Sequence, residues 1–145
     1  MDNLNFTIIL TCNEGVGGYP PVAVGINDTV YYEGSVIEQK FVEFTAPETD
    51  TMTLFVAFDG NPTDKLIVDP DTGIPVNQAE LVIGDISIDE VSLNNIPHNK
   101  GVFYVDESEI WVSNKVQPAV THIGNKGVWR MDITSPVYIW LLENL

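Results

Sequence analysis

The chain has 145 residues, of which six are basic and twenty-one acidic, giving a formal net charge of −15 at pH 7. A field of that sign repels nucleic acid and anionic membrane, so we expect neither as a partner. The single cysteine, Cys12, excludes an intrachain disulfide and a sulfur-ligated metal site.

The N-terminus, MDNLNFTIIL, has neither a basic first region nor a long apolar run. We therefore expect no signal peptide, and no stretch reaches the roughly 18 apolar residues of a membrane span. The sequence predicts a protein made in a cytoplasm and kept there, or released by lysis or as part of a particle. Cys12, in the apolar run FTIILTC, is expected to be a buried free thiol.

Apolar residues recur at every second position through most of the chain, which is typical of half-buried antiparallel strands. Turn-rich segments such as EGVGGYPP, DGNPTD, DPDTGIP and NNIPHNKG separate these runs at the spacing of a β-sandwich or barrel. The pattern predicts an all-β fold of about ten to twelve strands. The expected inward residues are Val42, Phe44 and Ala46, then Met52, Leu54, Val56 and Phe58, then Trp129, Met131 and Ile133.

The segment LVIGDISIDEVSLNN (81–95) loses its alternation part of the way along. A glycine in mid-strand, Gly84, and the pair Asp89-Glu90 indicate a β-bulge that shifts the inward face. The inward set would change from Ile86 and Ile88 to Val91 and Leu93.

The last segment, SPVYIWLLENL, fits either a final strand or a short buried helix. Its Tyr, Ile and Trp residues and the preceding Ser-Pro favour a strand, with Tyr138, Trp140 and Leu142 on one face.

The strand ISIDEVSL resembles the closing strand of carbohydrate-binding jelly-roll modules, where an I-D-x-V-x-L pattern follows a series of alternating strands. The upstream order, FTIILTCNEGVGGYPPVAVGIND, QKFVEFTA and TLFVAFDG, is similar to that of the xylan-binding members of this group. The resemblance covers about residues 4–93. It implies an antiparallel β-sandwich of the jelly-roll type, with a calcium ion held by loops at one end and its shell completed by a sugar diol.

The loop FDGNPTD matches the position of that calcium site, so the resemblance implies Asp59, Asn61 and Asp64 as metal ligands, with DPDTG near in sequence. Closely spaced Asp and Asn residues can supply several of the six to eight oxygens that calcium takes. The same residue types also simply make turns, and neither loop matches an EF-hand. Calcium is therefore a candidate cofactor, and none is required.

The final segment, THIGNKGVWRMDITSPVYIWLLENL, resembles C-terminal parts of accessory and structural proteins of tailed phages, particularly marine myovirus-like ones. Strands around GVFYVD, IWVS and AVTHIG would extend the same two sheets, because no linker-like composition intervenes. We therefore expect one domain over residues 1–145, with module-like strands in 1–95 and additional strands of the same sandwich in 96–145.

Aromatic residues are the remaining candidates for ligand binding, since apolar sugar faces stack on flat rings. By alternation Trp129 and Trp140 are expected inside. The predicted ligand-binding residues are Trp111 in SEIWVSNK, the pair Tyr31 and Tyr32 in TVYYEGS, and Tyr19 in GGYPP.

No catalytic residue is predicted. His98 and His122 lack a nucleophile elbow, an H-E-x-x-H or a locally supported Cys-His arrangement, and carboxylate pairs arise here from composition alone. The segment GVGG lacks the Lys-Ser/Thr of a phosphate loop.

These observations predict a non-enzymatic accessory or structural protein of a tailed-phage virion, which decorates the particle or contacts host glycan. Its expected partners are other virion proteins, further copies of itself in a homo-oligomer, and polysaccharide. The alternative is a calcium-assisted carbohydrate-binding module.

Overall fold

The computed structural model describes residues 3–145, which form two antiparallel sheets packed face to face. The strands are β1 (Asn3–Cys12), β2 (Pro21–Ile26), β3 (Thr29–Ser35), β4 (Glu38–Pro47), β5 (Thr51–Phe58), β6 (Leu81–Ile88), β7 (Val91–Ser92), β8 (Val102–Val105), β9 (Val116–Pro118), β10 (His122–Ile123) and β11 (Gly127–Thr134). Helical segments are a 3-10 turn at Thr63–Lys65, α1 (Ile96–Lys100) and α2 (Val137–Asn144). The prediction of an all-β antiparallel sandwich with about ten to twelve strands is confirmed.

One sheet has five strands, in the order β10-β6-β1-β4 with β7 paired to β6, and the other has six, in the order β3-β2-β5-β11-β8-β9. The strands that follow residue 96 enter both sheets, because β8, β9 and β11 lie in the larger one and β10 lies in the smaller one.

The core lies between the sheets and is built by the period-two pattern. Every second residue of β1, β5 and β11 is buried, and the central Trp129 is fully buried. Each large apolar side chain taken from water contributes about 1.5–3 kcal/mol to folding. Among the inward residues predicted for β4, β5 and β11 the exception is Phe44, whose half-buried ring is stacked between Phe6 and Tyr31 at centroid distances of 5.1 and 4.7 Å.

The irregular segment contains two features instead of one. Ile8 of β1 lies opposite Ile86 and Leu10 opposite Ile83, so β6 carries one extra residue between them, beside Gly84. The pair Asp89-Glu90 is not part of this bulge. Both residues have positive φ, 49° and 70°, and form the two-residue turn that joins β6 to β7.

The inward face therefore shifts earlier than predicted, inside β6 itself, where Leu81 and Ile83 precede the bulge and Ile86 and Ile88 follow it. Leu93 is buried as predicted, but Val91 is largely exposed.

The predicted C-terminal strand is wrong, because residues 137–144 form α2. Val137, Trp140 and Leu141 are buried at helical spacing, which leaves Tyr138 and Leu142 exposed. A carboxylate from the β4–β5 turn, that of Glu48, accepts the Val137 N–H at 2.9 Å and suits the positive end of the helix dipole.

Two other predicted strands are shorter or missing. IWVS (110–113) lies in the loop between β8 and β9, and AVTHIG contributes only the two residues of β10. Within residues 3–145 no helix has the length and apolar character needed to cross a bilayer.

Cys12 is buried and unpaired, as predicted, and burial raises the pKa of its thiol. The inward alternation of β1 places it in the core, where the thiol behaves as a small apolar group.

The connections gather at the two ends of the sandwich. We define the loop end by residues 13–20, 59–80, 106–115 and 124–126, which leave the edge where Cys12 meets Leu81 and Phe58 meets Gly127. We define the hairpin end by residues 27–28, 48–50, 89–90 and 135–136, which lie where Asn3 meets Pro47 and Thr51 meets Thr134.

Candidate functional site

A groove of about 470 Å³ opens at the loop end, and we name it the Trp111 groove. The indole of Trp111 is 53% exposed, an unusual position for so large an apolar ring. The apolar wall comes from the long β5–β6 loop and from the residue after Trp111: Leu66, Val68, Pro75 and Val112. Gly73 and two residues with amide side chains, Gln78 and Asn125, complete the lining.

The wall of the groove is a small hairpin within the β5–β6 loop. Val68 bridges to Pro75, the Asp69 N–H donates to the Ile74 carbonyl at 3.0 Å, and the Val76 N–H donates to the Ile67 carbonyl at 2.9 Å. The DPDTG sequence forms its tip, where the Asp69 carboxylate accepts the Asp71 N–H at 2.8 Å. These carboxylates therefore shape a turn.

The loop that carries Trp111 is held in place by Lys115. Its ammonium group donates hydrogen bonds to the carbonyl of Glu109, which precedes Trp111 in the sequence, and at 2.7 Å to that of Val112, which follows it. The Val112 N–H also donates to the Glu109 carbonyl at 3.1 Å. The ring is therefore presented by an ordered backbone, and a ligand that stacks on it need not order the loop first.

Glu109 is a structural carboxylate that the sequence reading missed. The residue is 4% exposed, and its Oε1 accepts the N–H of Lys126 at 2.8 Å, tying the Trp111 loop to the β10–β11 turn. Its Oε2 is the one buried side-chain oxygen or nitrogen without a partner in the described residues. The sequence signal was slight: an acid inside the otherwise apolar run EIWV.

The three predicted metal ligands lie in different environments. Asn61 is buried, and its amide donates to the carbonyls of Ala79 at 3.0 Å and Gly124 at 2.9 Å while its Oδ1 accepts the Ala79 N–H at 2.7 Å. Asp59 is exposed beside a cavity that Asp106 and Lys126 also line. Asp64 is exposed in the 3-10 turn.

Calcium binding by Asp59, Asn61 and Asp64 stays a prediction. Across residues 3–145 no three side chains among His, Cys, Asp and Glu are grouped so that they could hold a metal. The one buried carboxylate oxygen without a partner among the described residues, on Glu109, would supply a single one of the six to eight oxygens that calcium takes.

The three predicted tyrosines lie apart from the Trp111 groove and pack partly against the core. Tyr31 stacks on Phe44, and the Tyr32 hydroxyl donates to the Ser35 carbonyl at 3.1 Å. Tyr19 is half-buried, and its carbonyl accepts the Ser35 hydroxyl at 2.8 Å. Their ligand-binding role stays a prediction, and the structure does not bring them together with Trp111.

Asp106, at the start of the Trp111 loop, makes the stability of the fold depend on pH. The hydroxyl and N–H of Ser108 donate to its carboxylate, and with Lys126 and Lys115 nearby they lower its pKa. A lowered folded pKa stabilises the protein above the unfolded value of about 3.9, and this stabilisation disappears as pH falls through the folded pKa.

We therefore expect the melting temperature of the wild type to fall more steeply than that of Asp106→Asn when pH is lowered from about 5 to about 3. Thermal melts of both proteins across that range measure the difference. Parallel curves for the two proteins would contradict the assignment.

The groove offers recognition chemistry: a flat apolar ring, an apolar wall and two amides that can both donate and accept hydrogen bonds. The histidines lie elsewhere. The Nδ1 of His122 lies 3.1 Å from the Glu80 carboxylate at an exposed position, and His98 lines a different surface depression.

Comparisons with known proteins show the fold alone. No protein-family model and no curated protein matches the sequence. Among solved structures the chain is similar to vCBM60, with 13% identity, a TM-score of 0.54 and coverage of 88% of this chain and 89% of that one. vCBM60 is a calcium-dependent carbohydrate-binding module, and circular permutation links two families of such modules. A structure of vCBM60 in complex with galactobiose matches with the same identity and TM-score over 89% of this chain and 99% of that one.

Proposed function

We propose that the protein is a non-catalytic carbohydrate-binding domain and that the Trp111 groove is its sugar site. The observation that carries the proposal is the indole of Trp111, which is more than half exposed at the mouth of a groove that also holds two amides. The likeness of the fold to modules that bind sugars supports the same class of ligand.

The geometry suits a sugar ring better than an extended apolar ligand. One ring face of a saccharide is apolar and can cover an indole, while its hydroxyls need partners such as the amides of Gln78 and Asn125. The cavity of about 470 Å³ lies inside the range of ordinary small-ligand sites. The site is therefore sized for a short stretch of a polysaccharide.

The proposed binding does not depend on calcium, because stacking and amide hydrogen bonds require no ion. We expect the affinity for galactobiose to be the same in millimolar calcium and in a chelator. Binding that appears only with calcium would place the sugar at a metal site and contradict the Trp111 groove.

Replacing the ring tests the proposal directly. Trp111→Ala should weaken binding of galactobiose or of a galactan or xylan chain by about 30-fold or more, since central aromatic anchors are worth roughly 2 kcal/mol. The melting temperature should hardly change, because the ring is half in solvent already. Titration calorimetry and electrophoresis in polysaccharide-containing gels measure the affinity.

Ile110→Ala is the matched control. Ile110 precedes Trp111 in the same loop, is 83% exposed and does not line the groove. The Ile110→Ala variant should bind the saccharide with the affinity of the wild type. If no neutral saccharide binds the wild type, or if Trp111→Ala binds as well as Ile110→Ala, the proposed site is wrong.

The virion role, the phage-like C-terminal segment and self-association stay predictions from the sequence. The fold and the comparisons favour the alternative reading, a carbohydrate-binding module.

A further inference from the structure

A second groove lies on the outer face of the six-stranded sheet, away from the loop end. Its volume is about 470 Å³, and it is lined by Lys100, Arg130, Tyr104, Trp140, Thr53 and Asp132. Arg130 and Asp132 alternate along β11 with the core residues Trp129, Met131 and Ile133, so they face outward. We name this the cationic groove.

The basic residues of the cationic groove contrast with the negative net charge of the whole protein. Two of the six basic residues of the chain line it, although the formal net charge is −15. Within residues 3–145 neither cation lies within ion-pair distance of a carboxylate. The carboxylate of Asp132 accepts the Thr53 hydroxyl at 2.8 Å and lies beyond ion-pair distance of both cations.

The two cations of the groove outnumber its single carboxylate, that of Asp132, so the groove attracts an anion locally while the rest of the molecule repels it. A guanidinium offers a planar fork that matches the two oxygens of a carboxylate or sulfate, and the ammonium of Lys100 adds a second positive charge in the same groove. The ligand chemistry is therefore a carboxylate or a sulfate ester.

The aromatic surface beside the cations further narrows the class of ligand that the groove can bind. Tyr104, between the core residues Phe103 and Val105 of β8, is 43% exposed, and Trp140 of α2 presents the remaining 7% of its surface there. A flat ring next to a guanidinium fits a ligand that carries its anionic group on a ring with an apolar face. An acidic sugar has that form.

We infer that the cationic groove binds the carboxylate or sulfate of an acidic saccharide, with Arg130 and Lys100 holding the anion and Tyr104 packing against the sugar ring. The inference rests on the proposed function only for the saccharide class, since it uses none of the residues of the Trp111 groove.

Gel electrophoresis of the full chain at low ionic strength tests the inference, with polygalacturonate, sulfated galactan, neutral galactan or polyglutamate in the gel. Wild type should be retarded by polygalacturonate or sulfated galactan, and Arg130→Ala should bind that polymer about tenfold more weakly. Arg130→Lys should recover only part of the loss, because it keeps the charge but not the fork.

Lys40→Ala is the matched control, since it removes one positive charge from an exposed residue on β4 of the other sheet. It should leave the retardation by acidic polymers unchanged. Thermal melts should show that both variants fold. If Lys40→Ala and Arg130→Ala lose the same amount of retardation by the acidic polymer, the effect comes from net charge alone and the inference is overturned.

The outcomes separate this inference from the proposed function. Trp111→Ala should no longer bind neutral galactan, but the acidic polymer should still retard it in a way that depends on Arg130. If neutral galactan fails to bind while acidic retention needs Arg130, the Trp111 groove is wrong and the cationic groove stands. Absence of retention by both acidic polysaccharides, or equal Arg130-dependent retention by polyglutamate, would overturn the cationic groove as a saccharide site.

Discussion

Asn61→Asp is expected to destabilise the protein by about 3–5 kcal/mol near neutral pH, although the two side chains have the same shape. The amide of Asn61 donates to two backbone carbonyls, those of Ala79 and Gly124. A carboxylate in its place would turn an acceptor toward each of them and bring an unpaired charge into a buried position. Denaturant unfolding followed by tryptophan fluorescence measures the loss.

The pH dependence of that variant identifies the cause. Its buried carboxyl should have a folded pKa above the unfolded value, so the penalty is complete above the folded pKa and shrinks as pH falls through it. Asn61→Ala, the control, should lose about 2–4 kcal/mol through unsatisfied hydrogen bonds and should not recover in acid. An Asp variant that is as stable as the wild type, or that calcium restores, would instead make residue 61 a metal ligand.

Gly101→Ala is expected to destabilise the fold by about 1–3 kcal/mol or more, by overpacking. Gly101 has φ −72° and ψ 141°, a conformation that any residue adopts, so the backbone would not be strained. A Cβ there would lie 2.3–2.4 Å from three atoms of the Trp129 indole. That ring is fully buried and held by a hydrogen bond from its Nε1 to the Val120 carbonyl at 3.0 Å, so it cannot easily yield.

A double-mutant cycle isolates this contact. Trp129→Leu alone should lose about 3 kcal/mol through the cavity it leaves and the missing hydrogen bond. In its presence Gly101→Ala should become nearly neutral, so that the two losses together fall short of their sum by about 1 kcal/mol or more. Additive losses in denaturant unfolding would show that the alanine methyl does not press on the indole.

The sheets were predictable because their signal is local. In β1, β5 and β11 each buried residue is followed by one that is more exposed, and neighbouring letters of the sequence are enough to show it. The irregular segment was harder. A bulge and a two-residue turn both interrupt alternation, and only the pairing of Ile83 with Leu10 and of Ile88 with Val91 separates them.

The C-terminal helix could not be decided from eleven residues. An inward Trp140 is compatible with a strand and with a helix, and the deciding partners, Glu48 at the start of α2 and the core beneath it, are distant in sequence. The strand-forming tendency of Tyr, Ile and Trp was overridden by tertiary packing.

At the candidate site, Trp111 was predicted as a ligand-binding aromatic residue within a strand around IWVS, and it is half in solvent but lies in a loop. The roles of Asn61 and Glu109 were hidden because their hydrogen-bond partners lie 17 to 63 residues away. The cationic groove was hidden for the same reason, since Lys100 and Arg130 come together only when α1 and β11 pack.

The polarity of the sandwich determines how the protein can be attached to a support. Asn3 begins β1 at the hairpin end, and α2 follows Thr134 at that same end, whereas Trp111 lies at the loop end. A sensor chip or a fluorescent reporter linked to the hairpin end therefore leaves the Trp111 groove on the far side, open to a polymer arriving from solution.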